Sequence, residues 1–174
     1  GTMIYVTSKE QSPSGDAQSS SSLSSDAFSS WQPVRNAQWH YSLRIPASLS
    51  LANKADDASI LRYTQDALTV EVSAEAATSL DSAIALIDQM RATAYEGQPS
   101  LTVNAEKDVT VGGQPAKERE IFLNAAGFPA METFVFREGT IYRFSTFTAG
   151  DALTLTDEAR KLHRDILSTV QFGS

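Results

Sequence analysis

The sequence contains no cysteine. That absence removes disulfides, thiolate nucleophiles and cysteine metal ligands together. It leaves the compartment open, although a protein in an oxidising space loses nothing by lacking thiols. Positive charge is scarce as well: 14 Lys and Arg stand against 21 Asp and Glu, for a net charge of −7 and a pI near 4.8. Nucleic-acid binding draws most of its affinity from Lys and Arg neutralising phosphates, so this balance argues against a DNA or RNA partner. It argues equally against a polybasic membrane-surface patch. No stretch approaches the roughly 20 consecutive apolar residues that cross a bilayer as a helix, and no signal-peptide core is evident. Histidine occurs only at positions 40 and 163.

The N-terminal region is poor in large apolar residues. Residues 8–30 hold eleven serines, with Leu23 and Phe28 as the only large hydrophobes. Such a tract cannot offset the entropy of ordering and reads as a flexible linker. Before it lies the apolar stub "MIYV". A stub of this kind, followed by a serine-rich spacer, predicts a membrane anchor upstream of Met3. Residues 1–30 are thus expected to be an anchor stub and linker, and residues 31–174 a single domain. With 41% hydrophobic residues overall, that domain is large enough to build its own core.

Within the domain the pattern changes from period 2 to period 3.6 and back. Trp39, Tyr41, Leu43 and Ile45 alternate with His40, Ser42 and Arg44, which predicts a first strand with one buried face, closed by Pro46. "SILRY" (59–63) and "LTVEVSA" (68–74), joined by "TQDA", predict a hairpin. Leu80, Ala83, Ile84, Ile87, Met90 and Ala94 form one helical stripe over 80–95, with Thr78 or Ser79 as N-cap and Gly97 and Pro99 as stop. From residue 101 a four-strand antiparallel meander is expected, turning at Gly112-Gly113, through "NAAGFPA", and at Glu138-Gly139. Phe134 and Phe136 fall on one face of their strand, Tyr142 and Phe144 on one face of the next, and Phe147 on the opposite parity. Apolar groups on both faces predict a sheet covered on both sides. A last helix over 157–168 carries Thr156 as N-cap, and Ala159, Leu162, Ile166 and Val170 form its stripe.

Chemical motifs are sparse. The two histidines lack metal-ligand spacing, and His163 lies beside the last helix's apolar stripe, where a partly buried packing role is expected. No serine sits in a nucleophile-elbow pattern. The glycines of "VGGQP" form a turn, without the spacing of a phosphate cradle. Glu118 and Glu120 share a strand face, with Lys117 and Arg119 on the other. Their separation of about 7 Å suits a bound cation or plain solvation, and the simpler reading is a solvated face. No catalytic residue, cofactor or metal site is assigned.

The order of elements carries a resemblance. "WHYSLRIP" is followed by "ALTVEVSAEA", an amphipathic helix, then "VTVGGQPAKERE", an aromatic hairpin and a closing helix ending "ILSTVQF". Over residues 37–173 this series resembles the PsbP-like superfamily, which includes Mog-type Ran-release factors and DcrB-type lipoproteins. The resemblance implies the α+β class: an α/β/α sandwich with a central antiparallel sheet flanked by helices. It also implies a non-enzymatic, extracytoplasmic protein, tethered to a membrane, that docks on a protein partner. The expected state is a monomer with no nucleic-acid partner. The alternative is a small-ligand or cation-binding domain that uses a cleft between sheet and helices, with Trp39, Tyr41, Tyr142 and Arg143 as liners. His40 and Arg44, on the outer face of the first strand, are candidates for a partner contact.

Overall fold

A computed structural model describes residues 27–53, 59–92 and 96–173. The expected anchor stub and nearly all of the serine-rich linker lie outside the described residues, as does Ala94 of the helical stripe. The elements are β1 (Gln32–Asn36), β2 (Tyr41–Ile45), β3 (Ser50–Leu51), β4 (Ile60–Gln65), β5 (Leu68–Ala76), α1 (Leu80–Met90), β6 (Leu101–Val111), β7 (Gln114–Leu123), β8 (Phe128–Arg137), β9 (Thr140–Thr148), α2 (Asp157–Ser168) and β10 (Gln171–Phe172). The class is α+β, with two antiparallel sheets and two full helices among the described residues.

The larger sheet has seven strands in the order β3-β4-β5-β9-β8-β7-β6. Its hairpins form where turn chemistry requires them. Gly112-Gly113 joins β6 to β7, Glu138-Gly139 joins β8 to β9, and Asp66-Ala67 joins β4 to β5. Gly112 answers a packing demand too. Its φ is +56°, and a Cβ there would stand 2.8 Å from the Phe172 ring, so a side chain would collide with β10.

Strand parity gives the sheet two distinct faces. Met131, Thr133 and Val135 of β8 lie beside Thr146, Phe144 and Tyr142 of β9, and this face meets α2. Glu132, Phe134 and Phe136 lie beside Ser145, Arg143 and Ile141, and this face meets α1. The aromatic parity read from the sequence holds.

The first strand differs from its expectation. It begins at Tyr41, after a turn over 37–40 in which His40 adopts a left-handed φ of +60° and Asn36 Oδ1 accepts from the Trp39 N–H at 2.9 Å. The left-handed residue breaks the alternation between Trp39 and Tyr41. β2 then pairs not with the large sheet but with β1 and β10, in a separate three-stranded sheet. That small sheet, together with α2, covers one face of the large sheet. Tyr41, Leu43 and Ile45 are buried there with Val70, Val72, Phe144, Ile166 and Val170. Burying each large side chain contributes about 1.5–3 kcal/mol relative to exposure.

Helix α1 also departs from its expectation. Ser79 caps it by accepting from the Ser82 N–H, but the helix ends at Met90 rather than near residue 95. Arg91 leaves the helical conformation and turns its guanidinium to Glu132 and Asp88. Ala83 and Ile84 are buried on Phe134 and Ile141. Met90, placed in the buried stripe by spacing alone, is 73% exposed. Helix α2 follows its expectation, with Thr156 accepting from the Ala159 N–H at 3.1 Å.

Candidate functional site

The five candidate contact residues do not converge. Trp39 and Tyr142 meet: the Tyr142 hydroxyl donates to the Trp39 carbonyl oxygen at 2.6 Å. Tyr142 is buried, edge-on to Tyr41 at 5.8 Å, so both tyrosines belong to the core, and Tyr41 also borders a small open hollow of about 230 Å3 beside β10. Burial pushes the Tyr142 hydroxyl above its ordinary pKa and that of Tyr41 up to about 12. Arg143 lies on the opposite face of the sheet, 3.7 Å from Glu71, which also pairs with Arg62 at 2.7 Å. His40 is exposed in the turn before β2 and accepts the Gly173 N–H on its carbonyl. Arg44 lines an open hollow between the small sheet and the end of α2.

Two polar clusters that the sequence hid sit on the two faces of the large sheet. On the α1 face Arg119 is 3% exposed and Glu132 2%. Arg119 Nη2 donates to Glu132 at 2.7 Å, and both terminal nitrogens donate to the Asp88 carboxylate at 2.9 Å. Arg91 adds bonds to Glu132 at 3.0 and 3.3 Å, and Arg119 lies 5.3 Å from the Phe134 ring centroid. Burial pulls the Arg119 guanidinium down, but Asp88 and Glu132 outweigh it and leave the group above its ordinary value. Hydrogen bonds from Arg119 hold the Asp88 carboxyl below its own. Two cations and two carboxylates on this face pair with one another, with Nε of Arg91 and of Arg119 left buried without a hydrogen-bond partner, and the cluster fastens α1 to β7 and β8.

On the α2 face His163 is fully buried rather than partly so. Its Nε2 shares a hydrogen bond with Thr133 Oγ1 at 2.8 Å, and its Nδ1 one with Thr146 Oγ1 at 2.9 Å. Burial drives its pKa down to about 4, so the ring is neutral at pH 7. Glu118 and Glu120 do not form a solvated face. Glu118 is buried and takes two hydrogen bonds from Arg164, at 2.9 and 3.1 Å, and Glu120 takes one from Arg160 at 2.9 Å. Burial pushes the Glu118 carboxyl up, but Arg164 outweighs it and holds the group below the usual carboxylate range. Both glutamates are spent on docking α2. Among the described residues no group of three or more His, Asp or Glu is arranged to hold a metal ion.

The concave surfaces are open. One hollow of about 560 Å3 runs between α1 and the C-terminal end of β5, with Ala76, Ala83, Leu86, Ile87, Met90 and Ile141 on its walls and Glu75 at its rim. Leu86 is 57% exposed. The hollow beside Arg44 measures about 400 Å3. Among the described residues no helix is long and apolar enough to cross a membrane.

No protein-family profile matches the chain, and no curated sequence matches it. Solved structures do. Cyanobacterial PsbP (CyanoP) from Synechocystis sp. PCC 6803 superposes with a TM-score of 0.61 at 12% identity, over 82% of this chain and 92% of that one. The fold is PsbP-like. A second solved structure that superposes is LpqN, involved in cell envelope biogenesis of Mycobacterium tuberculosis, with a TM-score of 0.55 at 13% identity over 82% of this chain and 90% of that one. At such identities the likeness speaks for the PsbP-like fold alone. The clusters around Arg119 and His163 are read from this chain's own atoms.

Proposed function

We propose that this domain is a non-enzymatic, extracytoplasmic binding or assembly module, tethered to a membrane and docking on a protein partner. On this reading its layers form an α/β/α arrangement that serves as a rigid platform. The observation that carries the proposal is the apolar strip on α1. Leu86 and Met90, four residues apart on one helical face, stand outside the core above an open hollow with apolar walls. Exposed apolar side chains grouped at a groove mark interaction surfaces, and methionine adapts to varied partners. The rim carries the exposed Glu75 and the chain is acidic overall, so the complementary partner presents an apolar segment flanked by Lys or Arg. A part in envelope assembly agrees with what is said of LpqN.

The test is a photo-crosslinker placed at Met90 in the full-length protein, in its native membrane, with Asp151 as control position. A discrete adduct from Met90 that disappears in Leu86→Asp is the expected result. If Met90 gives only the background seen from Asp151, the docking reading fails.

A further inference from the structure

We propose that the outer edge of β6 is a docking site for an extended protein segment, which joins the large sheet as an antiparallel strand and carries Lys or Arg at alternate positions. This site goes beyond the docking reading. It lies on a different element from the α1 strip, so either can fail alone.

The two edges of the seven-stranded sheet are built differently. At one end β3 has 2 residues, and at the other β6 has 11. Natural sheets keep their edges short, bulged or guarded, because an open row of N–H and C=O groups is a template for another strand. β6 is blunted over part of its length only. Its register with β7 shifts between Val103 and Ala105, and a bulge of this kind bends the strand there. From Ala105 to Val111 the pairing is regular, and residues 105–108 and Thr110 are exposed.

The turn dictates which backbone groups face outwards. Gly112 and Gly113 have φ values of +56° and +80°, as in the two-residue turn of a tight hairpin. The flanking pair, Val111 and Gln114, is then hydrogen-bonded, and bonded pairs alternate from there along the strands. Val109, Lys107 and Ala105 turn their backbone groups to β7, while Thr110, Asp108 and Glu106 turn theirs to the outer edge. Pro115 fits this pattern: it lies opposite Thr110, where β7 owes β6 no N–H. Among the described residues no strand pairs with this edge.

The side chains define the occupant. Glu106 and Asp108 lie opposite Arg119 and Lys117 and so share the α1 face. Asp108 is 86% exposed, and its contact with Lys117 is 3.3 Å long. On the other face Lys107, the one cation that would guard this run, reaches back to Glu118 at 3.6 Å. Val109 and Val111 pack on the core beside it. A second copy of the chain is a poor occupant. Symmetric pairing centred on Asp108 sets that carboxylate against itself, and centred on Lys107 it sets Glu106 against Asp108. Like charges directly opposite one another are destabilising. Centred on Val109, the pairing shrinks to Lys107–Val111. A different segment, with Lys or Arg opposite Glu106 and Asp108 and apolar residues opposite Val109 and Val111, has none of these conflicts. In such strand addition the main chain supplies affinity and alternate side chains supply specificity.

The experiment titrates the full chain with the capped peptide VTVKEKV, whose lysines fall opposite Asp108 and Glu106 in antiparallel register. The capped peptide VTVEKEV, with every charge reversed, is the control. Backbone amide NMR follows binding, and sedimentation follows self-association. Saturable shifts at Glu106, Asp108 and Thr110 are expected with VTVKEKV, and affinity for VTVEKEV should be at least about tenfold lower. Asp108→Pro removes an outward N–H and leaves the bonds to β7 in place, so it should weaken VTVKEKV by a similar factor. Glu106→Lys combined with Asp108→Lys should exchange the order of the two peptides. The control peptide leaves the protein unchanged and keeps the test decisive if a variant unfolds. Equal affinity for both peptides, no saturable response along β6, or a dimer through β6 that VTVKEKV does not dissociate overturns the proposal.

Discussion

The two faces of the seven-stranded sheet are covered by different means. On one face a helix of 12 residues and the small sheet close over a continuous apolar core, with His163 sealed between Thr133 and Thr146 and two arginines clamped on glutamates. On the other a helix of 11 residues sits on a small patch around Phe134 and Ile141, held at its end by four charged groups, and leaves Leu86 and Met90 outside. The first face spends its side chains on stability. The second fastens its helix at one end and keeps an apolar flank open, an arrangement that suits a surface held rigid for a partner.

Breaking the fastening of α1 has the largest expected effect. Arg119→Ala leaves the buried Glu132 carboxylate with Arg91 alone and takes both bonds from Asp88, and should cost about 3–5 kcal/mol, read from urea unfolding at pH 7. The second test bears on the α2 face. Folded His163 has a pKa of about 4 against the ordinary 6.5, so below pH 6.5 the unfolded chain binds the proton first. The stability gained from the neutral ring is complete above about pH 6.5 and is lost as pH falls towards 4, by up to about 3 kcal/mol. Arg164 adds to the lowering and Glu118 opposes it. In His163→Gln this part of the pH slope should vanish, and the difference from the parent should shrink between pH 7 and pH 4.5.

Smaller effects separate clamp from core. Arg164 is about half exposed, so Arg164→Ala should cost only about 0.5–1 kcal/mol, measured by the same unfolding. Smallest of all, Leu86→Lys, at a side chain 57% exposed, should change stability by no more than about 0.5 kcal/mol and yet remove the adduct formed from position 90. A large loss of stability in that variant would mean that the open flank of α1 belongs to the core after all.

Hairpins and helices were legible in the sequence because their signals are local. Gly112-Gly113, Glu138-Gly139 and the Thr156 cap act within a few residues of themselves. β1 and β10 were not legible: "QPVRN" opens with Gln and Pro and shows little alternation, and a two-residue strand has no period at all. Trp39 continues the alternation of β2 on paper, and only the left-handed turn at His40 removes it from the strand. The polar clusters escaped for a different reason. Glu118 meets Arg164 across 46 residues and Glu132 meets Arg91 across 41, and nothing in local spacing distinguishes a glutamate facing water from one facing a distant arginine. Of the five candidate residues, Arg44 lines an open hollow, and the wall that β1 gives to that hollow had no signal because β1 itself gave none.

The placement of β10 also governs how the domain is completed in time. β2 lies between β1, formed just before it, and β10, made of the chain's last described residues but one. While the chain emerges from a ribosome or a translocation channel, Tyr41 and Ser42 wait with one edge unpaired until residues 171–172 have appeared, after every strand of the large sheet. Contacts so distant in sequence close late. Residues 171–172 thus act as a late latch of folding, and a chain cut before residue 171 would keep its two helices and large sheet while its first hairpin stayed open to whatever strand came near.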